Sequence, residues 1–279
     1  MRPIAAGQGK GRGAGQRRGD SRVSVVWMGF LASLLAGLLT GVGALGVFLI
    51  RTLSPRLEDG LLSFAAEIML AASFFSLLLP AIEYGEALYD TRNAAVLIAI
   101  VGIMSGAGAL FLMHRCLPHE HFLAGYEGPD SKALGRIWLF VIAITLHNFP
   151  EGMAVGVGFA GGDVANGISL ATGIGIQNIP EGLAVAVSLA AIGYSRTRAF
   201  LVGFLSGLAE PLGGLFGAFA VSAAGPLMPW TLAFAAGAML FVISDEIIPE
   251  THRRGFENLA TFSLLTGFVV MMYLDATLG

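Results

Sequence analysis

The chain is poor in charge and nearly free of cysteine. Asp, Glu, Lys and Arg make up 13% of its 279 residues, against roughly a quarter in an average soluble domain. With a 55% hydrophobic share and a mean hydropathy of +0.76, that scarcity excludes a soluble globular protein. It also excludes disorder of the whole chain, which needs low hydrophobicity and high net charge. The one cysteine, Cys116, rules out an intramolecular disulfide framework and a multi-cysteine zinc site. A net charge of −3 without a basic face argues against nucleic acid as a partner. What is left is an integral protein of the lipid bilayer, folded as one bundle.

Long apolar runs are what the chain has in abundance. A membrane helix needs about 20 mostly apolar residues, because ~30 Å of hydrocarbon is crossed at ~1.5 Å per residue. Eight runs qualify: 24–50, 61–82, 94–113, 137–160, 164–192, 199–222, 231–250 and 259–277. The expected fold is therefore all-α, integral membrane, with eight transmembrane helices. Residues 1–22, rich in Gly and Arg, are expected to form a disordered basic tail, and 23–279 a single transmembrane domain. The run after the tail is too long for a signal peptide. Loops 1, 3, 5 and 7 carry nine Lys/Arg, whereas the even loops and C-terminus carry one, Arg92. The positive-inside rule then puts the odd loops in the cytoplasm and both termini on the outer side. Six Lys/Arg in the tail pull the other way, but the loop charges are spread over the whole bundle.

Two internal repeats stand out. Residues 147–158 read HNFPEGMAVGVG and 177–188 read QNIPEGLAVAVS, 30 residues apart on consecutive runs. Consecutive spans run in opposite directions, so this pair is inverted. FAAEIMLAASFFSLLLP (64–80) likewise resembles FAAGAMLFVISDEIIP (234–249) with one residue gapped, on the second and seventh runs. Inverted repeats with helices broken at mid-membrane are a recurrent design of secondary transporters.

Charged side chains inside a span cost ~2.5–3.5 kcal/mol on insertion scales, so each one marks a candidate site. His147 and Glu151 are one helical turn apart, and Asn148 is three residues from Glu151, so all three can face one point. Gln177, Asn178 and Glu181 repeat that geometry on the next run. Glu210 lies deep in the sixth, followed by Pro211. Pro150 and Pro180 lack a backbone N–H, which frees the carbonyls of Leu146 and Ile176 and predicts breaks in helices four and five. Gly152 and Gly182 follow, and allow close helix approach.

This set offers one imidazole, three carboxylates and three carboxamides, with no thiolate. Such N and O donors suit Zn²⁺, Fe²⁺, Mn²⁺ or Co²⁺ and admit Cd²⁺. Met69 could add one soft contact. Three carboxylates carry a formal −3, which two divalent ions would more than neutralise, so a binuclear site bridged by Glu151 and Glu181 is feasible. The alternative is interhelical polar glue made by Asn and Gln. Glue does not require three carboxylates and an imidazole together.

HNFPEG and QNIPEG on consecutive spans of an eight-span chain resemble the ZIP family of divalent metal transporters, most of all its prokaryotic, GufA-type branch. The similarity runs from about residue 60 to the C-terminus and includes SDEIIPETHRRG (244–255) and MMYLDATLG (271–279). The resemblance implies eight helices arranged 3+2+3 with inverted symmetry. It implies a metal site between spans four and five, frequently binuclear, and transport toward the cytosol by an elevator-like movement. Homodimers are common in the family. His147, Glu151, Gln177 and Glu181 resemble its principal metal ligands, with Met69 nearby. Asn148, Asn178 and Glu210 resemble a second site, with Glu151 and Glu181 bridging. Two positions depart. Asn178 stands where close relatives can have Asp, which removes a negative charge from the second site. Glu67 stands where the family tends to have Gly, as the internal repeat has at Gly237. It is either a further pore residue or a helix-paired or headgroup-facing Glu.

Outside this centre, His119, Glu120 and His121 lie in the connection 114–136, beside His114 and Cys116. The resemblance suggests a metal-sensing or exit segment there, and a solvated loop is the alternative. Asp245, Glu246, Glu250 and His252 close the seventh run on the same expected side. They could pass ions to the cytosol or mark the membrane boundary. Glu83 and Asp275 fall on the outer side as candidate entrance residues. The expectation is a transporter without enzymatic activity, in the cytoplasmic (inner) membrane of a bacterium. It would move divalent cations, Zn²⁺ foremost, inward by alternating access. One rival is a membrane-embedded metal-dependent hydrolase, which needs an open metal position and a general base. The H-E-x-x-H pattern of such enzymes is absent. The other is a metal-selective channel of the same fold, which needs the same polar path.

Overall fold

The computed structural model describes residues 12–117, 119–121, 125–127, 136–159, 162–223, 225–251 and 255–279. Helix α1 (Arg12–Ala44) starts within the basic stretch 1–22 and ends in a 3-10 turn, Leu45–Phe48. α2 (Pro55–Ala72) passes through a π-helical turn, Ser73–Leu78, into α3 (Leu79–Tyr89). Then come α4 (Arg92–Cys116), α5 (Arg136–Gly158) and α6 (Val164–Ala191). α7 (Arg196–Gly207) leads into α8 (Ala209–Ala223). α9 (Met228–Val242) passes through a second π-helical turn, Ile243–Ile247, into the short α10 (Ile248–Thr251), and α11 (Glu257–Leu278) closes the chain. Seven stretches among the described residues are long and apolar enough to cross a membrane. The 23-residue α5 lies between them. Each of the eight expected runs thus corresponds to one helix or one helix pair.

The helix starts follow local chemistry. The Ser54 hydroxyl accepts the Leu57 N–H at 3.2 Å, with Pro55 in the first helical position. An N-cap oxygen satisfies an orphan donor there, and proline loses nothing. Asp163 caps α6 in the same way through the Asn166 N–H, at 3.1 Å.

Two expectations are corrected. The connection 114–136 is more than a loop: β1 (His119–His121) pairs antiparallel with β2 (Gly125–Glu127), with Glu120 opposite Tyr126. Pairing satisfies backbone groups that have left the helices, so the fold is helical with one small ribbon. The breaks expected at Pro150 and Pro180 are not where the helices end. α5 and α6 run through both prolines. The interruption falls in the sixth span instead, between Gly207 and Ala209. Pro211 lies just beyond it, and its ring is set against the carbonyl four residues back, that of Gly207.

Both π-helical turns lie in the second sequence repeat. In each copy nine residues of α-helix, 64–72 and 234–242, precede the turn. The turn has six residues in one copy and five in the other, and this difference is the residue gapped in the alignment. Pro80 and Pro249 follow at the same distance. The wider turn accommodates a proline that cannot donate to the carbonyl one turn back.

Packing is closest at glycines. α5 packs on α8, α6 on α1, α4 on α9 and α11 on α2. A Cβ on Gly152 would fall on the Glu210 carbonyl of α8, and one on Gly182 on the Thr40 carbonyl of α1. Gly267 of α11 meets the Phe64 carbonyl of α2 in the same manner, and Gly106 of α4 meets the Phe234 carbonyl of α9. Phe64 and Phe234 open the two copies of the second repeat. Without a hydrophobic force between helices in lipid, such small-residue approach is what holds them. Ile68, Met69, Ile174, Met239 and Met271 fill the interior. Leu97, Val101 and Met104 of α4, and Phe262, Leu265 and Val269 of α11, are exposed, as a lipid-facing surface requires.

Candidate functional site

The two N-x-P-E-G segments bring α5 and α6 together with α8 and α1. In each, the glycine after the glutamate lies against a neighbouring backbone, so Glu151 and Glu181 follow at defined places. Glu151 and Glu210 are fully buried. Glu151, Glu181 and Glu210 are close enough to repel one another, and Gln177 stands beside Glu151. Asn178 is the hub of a hydrogen-bonded cluster. Its Nδ2 donates to Glu210 Oε1 at 2.7 Å and to the Ala36 carbonyl at 2.9 Å. Its Oδ1 accepts from Gln177 Nε2 at 2.7 Å. The Thr40 hydroxyl donates to the same Glu210 oxygen at 3.4 Å.

Several polar atoms of this centre are buried without a hydrogen-bond partner among the described residues. They are both polar atoms of the Asn148 side chain, Glu151 Oε2, Gln177 Oε1 and Glu210 Oε2. Leaving such an atom unmatched costs ~1–3 kcal/mol, so each calls for an ion, a water or a function. Met69 is buried in the same core. Among the described residues no three His, Cys, Asp or Glu converge tightly enough to cage a metal by themselves. The centre is therefore a mixed one, in which carboxamide oxygens stand with the carboxylates.

A second polar group leads from the centre to the end of the bundle where α4 stops and α2 starts. The His147 ring lies roughly parallel to that of His114, with centroids 6.5 Å apart. His114 is buried, sits edge-on to Phe241 at 5.2 Å, and places Nδ1 3.8 Å from Asp245 Oδ2. Sequence reading set His114 beside the loop histidines, but it belongs to the last turn of α4. Its four-residue spacing from Leu110, on the buried face, was the available signal. Asp59, buried near the start of α2, was not singled out. It stands one turn before Ser63, on the buried face of its helix. His119, Glu120 and His121 are in β1 and Glu246 is in the second π-helical turn. The side chains of these four and of Glu250, and His252 altogether, lie outside the described residues.

At the opposite end Asp275 Oδ1 accepts the Ser76 hydroxyl at 2.8 Å. The Ser76 carbonyl, four residues before Pro80, accepts Asn166 Nδ2 at 3.1 Å, and Asn166 also reaches the Gly158 carbonyl at 3.4 Å. Glu83 is exposed on α3, and both it and Asp163 act electrostatically on Tyr84. Asp163 and Asn166 escaped sequence reading, although Asp-x-x-Asn before an apolar run is a helix-start signal. Glu67 is half-buried at the crossing of α2 and α11. Its Cβ is 3.2 Å from where one on Gly267 would be.

These features define a polytopic helical membrane protein with a carboxylate-rich polar centre between two inverted helices. The family model described as ZIP Zinc transporter matches residues 124–275. The chain is 48% identical over 253 residues to the zinc transporter GufA of Myxococcus xanthus, an overlap of 90% of this chain and 99% of that one. It is 45% identical over 263 residues to the zinc transporter ZIPB of Bordetella bronchiseptica, covering 94% of this chain and 84% of the relative. Identity to the zinc transporter ZIP11 of Homo sapiens is 36% over 337 aligned positions, covering 92% and 98%. The chain belongs to the ZIP zinc transporter family. Its relatives are named as transporters and not as enzymes, which removes the hydrolase alternative.

Proposed function

We propose that the protein carries divalent transition-metal cations, Zn²⁺ foremost, across a bacterial cytoplasmic membrane into the cytosol. The observation that carries this is the inverted N-x-P-E-G pair, which sets the half-buried Glu181 and the buried Glu151 within repelling distance of each other and of the buried Glu210, beside unmatched oxygen donors. A bound cation relieves both conditions at once. His147, Glu151, Gln177 and Glu181 are the proposed ligands, with Met69 as a soft neighbour, and their N/O chemistry fits zinc. Fe²⁺, Mn²⁺, Co²⁺ and Cd²⁺ are the competing cargoes. Asn148 and Glu210 extend the centre.

The helix pairings support a 3+2+3 inverted arrangement. Exchanging spans one with six, two with seven, three with eight and four with five maps the four glycine contacts onto one another. They also support alternating access. The backbone-to-backbone contacts at glycines lie within α1, α5, α6, α7 and α8, or within α2, α3, α4, α9 and α11. Between the groups, α6 meets α2 and α11 through side chains, as where Gly173 faces Met271 and Ile68. One group can thus slide against the other without parting a backbone seam. Glu83, Asp163 and Asp275 would gather cations at the outer mouth. His114, Asp245 and Asp59 would receive them at the inner one. The Lys/Arg bias supports both termini outside, and the family resemblance supports a homodimer.

Zn²⁺ uptake into proteoliposomes tests the proposal. The chain should give saturable flux, and Glu181→Ala should lower it at least about tenfold, the lower end of what losing metal-site support costs. Unchanged flux in a folded Glu181→Ala protein would refute the central site. Flux that never saturates would replace the carrier with a channel.

A further inference from the structure

We propose that Asn178 occupies the place of a second cation, so that the centre carries one transported ion at a time. This deepens the transport reading above and rests on it. The Asn178 carboxamide has both donors and one of its two acceptor lone pairs engaged. A side-chain amide has two N–H donors and one carbonyl oxygen. The donors go to Glu210 Oε1 and the Ala36 carbonyl, and the oxygen accepts from Gln177. The amide cannot be turned round, because a backbone carbonyl and a carboxylate only accept, and reversal would set oxygen against oxygen. One lone pair of Asn178 Oδ1 remains beside the Gln177 bond, but it is the Nδ2 and not an oxygen that faces Glu210, and one oxygen of Glu210 is held by Asn178 and Thr40.

Two consequences follow for neighbouring residues. Gln177 is oriented by the same bond. Its Nε2 points to Asn178, which leaves the buried, unmatched Oε1 as its free end. Asn178 is thus a positioning residue that makes Gln177 present a metal-binding oxygen. Charge points the same way. Three carboxylates with one divalent ion sum to −1, and N–H donors already compensate Glu210. Two ions would leave a buried +1. An Asp at 178 would change both terms. The carboxylates would sum to −4, and two oxygens would face each other at the 2.7 Å now spanned by the Asn178–Glu210 hydrogen bond. That contact requires a cation or a shared proton between them.

The test counts Zn²⁺ bound per full-length chain in nanodiscs by equilibrium dialysis. The count for a Glu151→Ala/Glu181→Ala double variant is subtracted to remove peripheral sites. The expected difference is one ion for the parent and two for Asn178→Asp. X-ray absorption should show zinc–zinc scattering at about 3.5–4 Å, the spacing of two-metal sites, only in Asn178→Asp. Asn178→Ala should keep one ion but bind it about tenfold more weakly, as losing support behind a ligand does. A difference of two in the parent, or zinc–zinc scattering there, overturns the proposal. One ion in both proteins overturns the role given to Asn178. No difference in a folded parent overturns the central site itself, and with it the function proposed above. If Asn178→Asp does not fold, the parent count and spectrum still decide.

Discussion

Replacing Gly182 by Ala adds one methyl group where α6 touches α1. That methyl would fall on the Thr40 carbonyl, well inside the 3.4 Å of an ordinary carbon contact. The two helices must therefore part by about an ångström at the level of Glu181, or their side chains must leave good rotamers. Overpacking of this kind costs roughly 1–3 kcal/mol. Alanine returns up to ~1 kcal/mol through its better helix propensity, so a net loss remains. Gly108 of α4 is the internal control, because a Cβ there meets nothing within 4 Å. Gly108→Ala should be neutral or slightly stabilising. Thermal unfolding of the detergent-solubilised proteins, followed by intrinsic fluorescence, separates the two. Uptake should fall in Gly182→Ala as well, because Ala36 and Thr40 of the displaced helix hold Asn178 and Glu210. A Gly182→Ala protein as stable as Gly108→Ala would refute the claim that backbone contact at this glycine sets the site.

Two further outcomes follow from hydrogen bonds away from the centre. Asn166→Ala leaves the Ser76 carbonyl without its side-chain donor and should destabilise the protein by ~1–3 kcal/mol, read as a lower unfolding temperature, whereas Asn166→Asp, which cannot donate, should not restore it. His114→Ala should slow Zn²⁺ uptake while the dialysis count at the centre stays the same; a loss of central binding instead would move His114 from the release path into the ligand set.

The helices were legible because hydrophobicity in a membrane chain is nearly a length measurement, and the runs from 61 to 82 and 259 to 277 left little else to choose. The polar centre was legible because a carboxylate in an apolar run is costly, which singles out Glu151, Glu181 and Glu210 without any structure. What sequence spacing could not give is adjacency between distant elements. Asn178 and Glu210 are 32 residues apart, and nothing in that interval tells that one donates to the other. His114 looked like part of a loop because its partners, His147 and Asp245, arrive from two other helices. The prolines misled for a related reason. Their missing N–H is local, but whether a helix ends there depends on what clamps the backbone around it. α5 and α6 run on through Pro150 and Pro180, whereas Pro211 coincides with a real interruption.

The unequal π-helical turns bear on how such a chain tolerates change in length. In a regular α-helix, one inserted residue turns everything beyond it by about 100°, which would swing a pore-facing side chain into lipid. Here the extra residue of one repeat copy falls inside the turn itself, and a proline stands two residues beyond the turn in both copies. Ser76 and Asp245 stand inside these turns, at opposite ends of the path. Each turn works as an expansion joint, so the spans on either side can gain or lose a residue while the mouths of the pathway keep their aim.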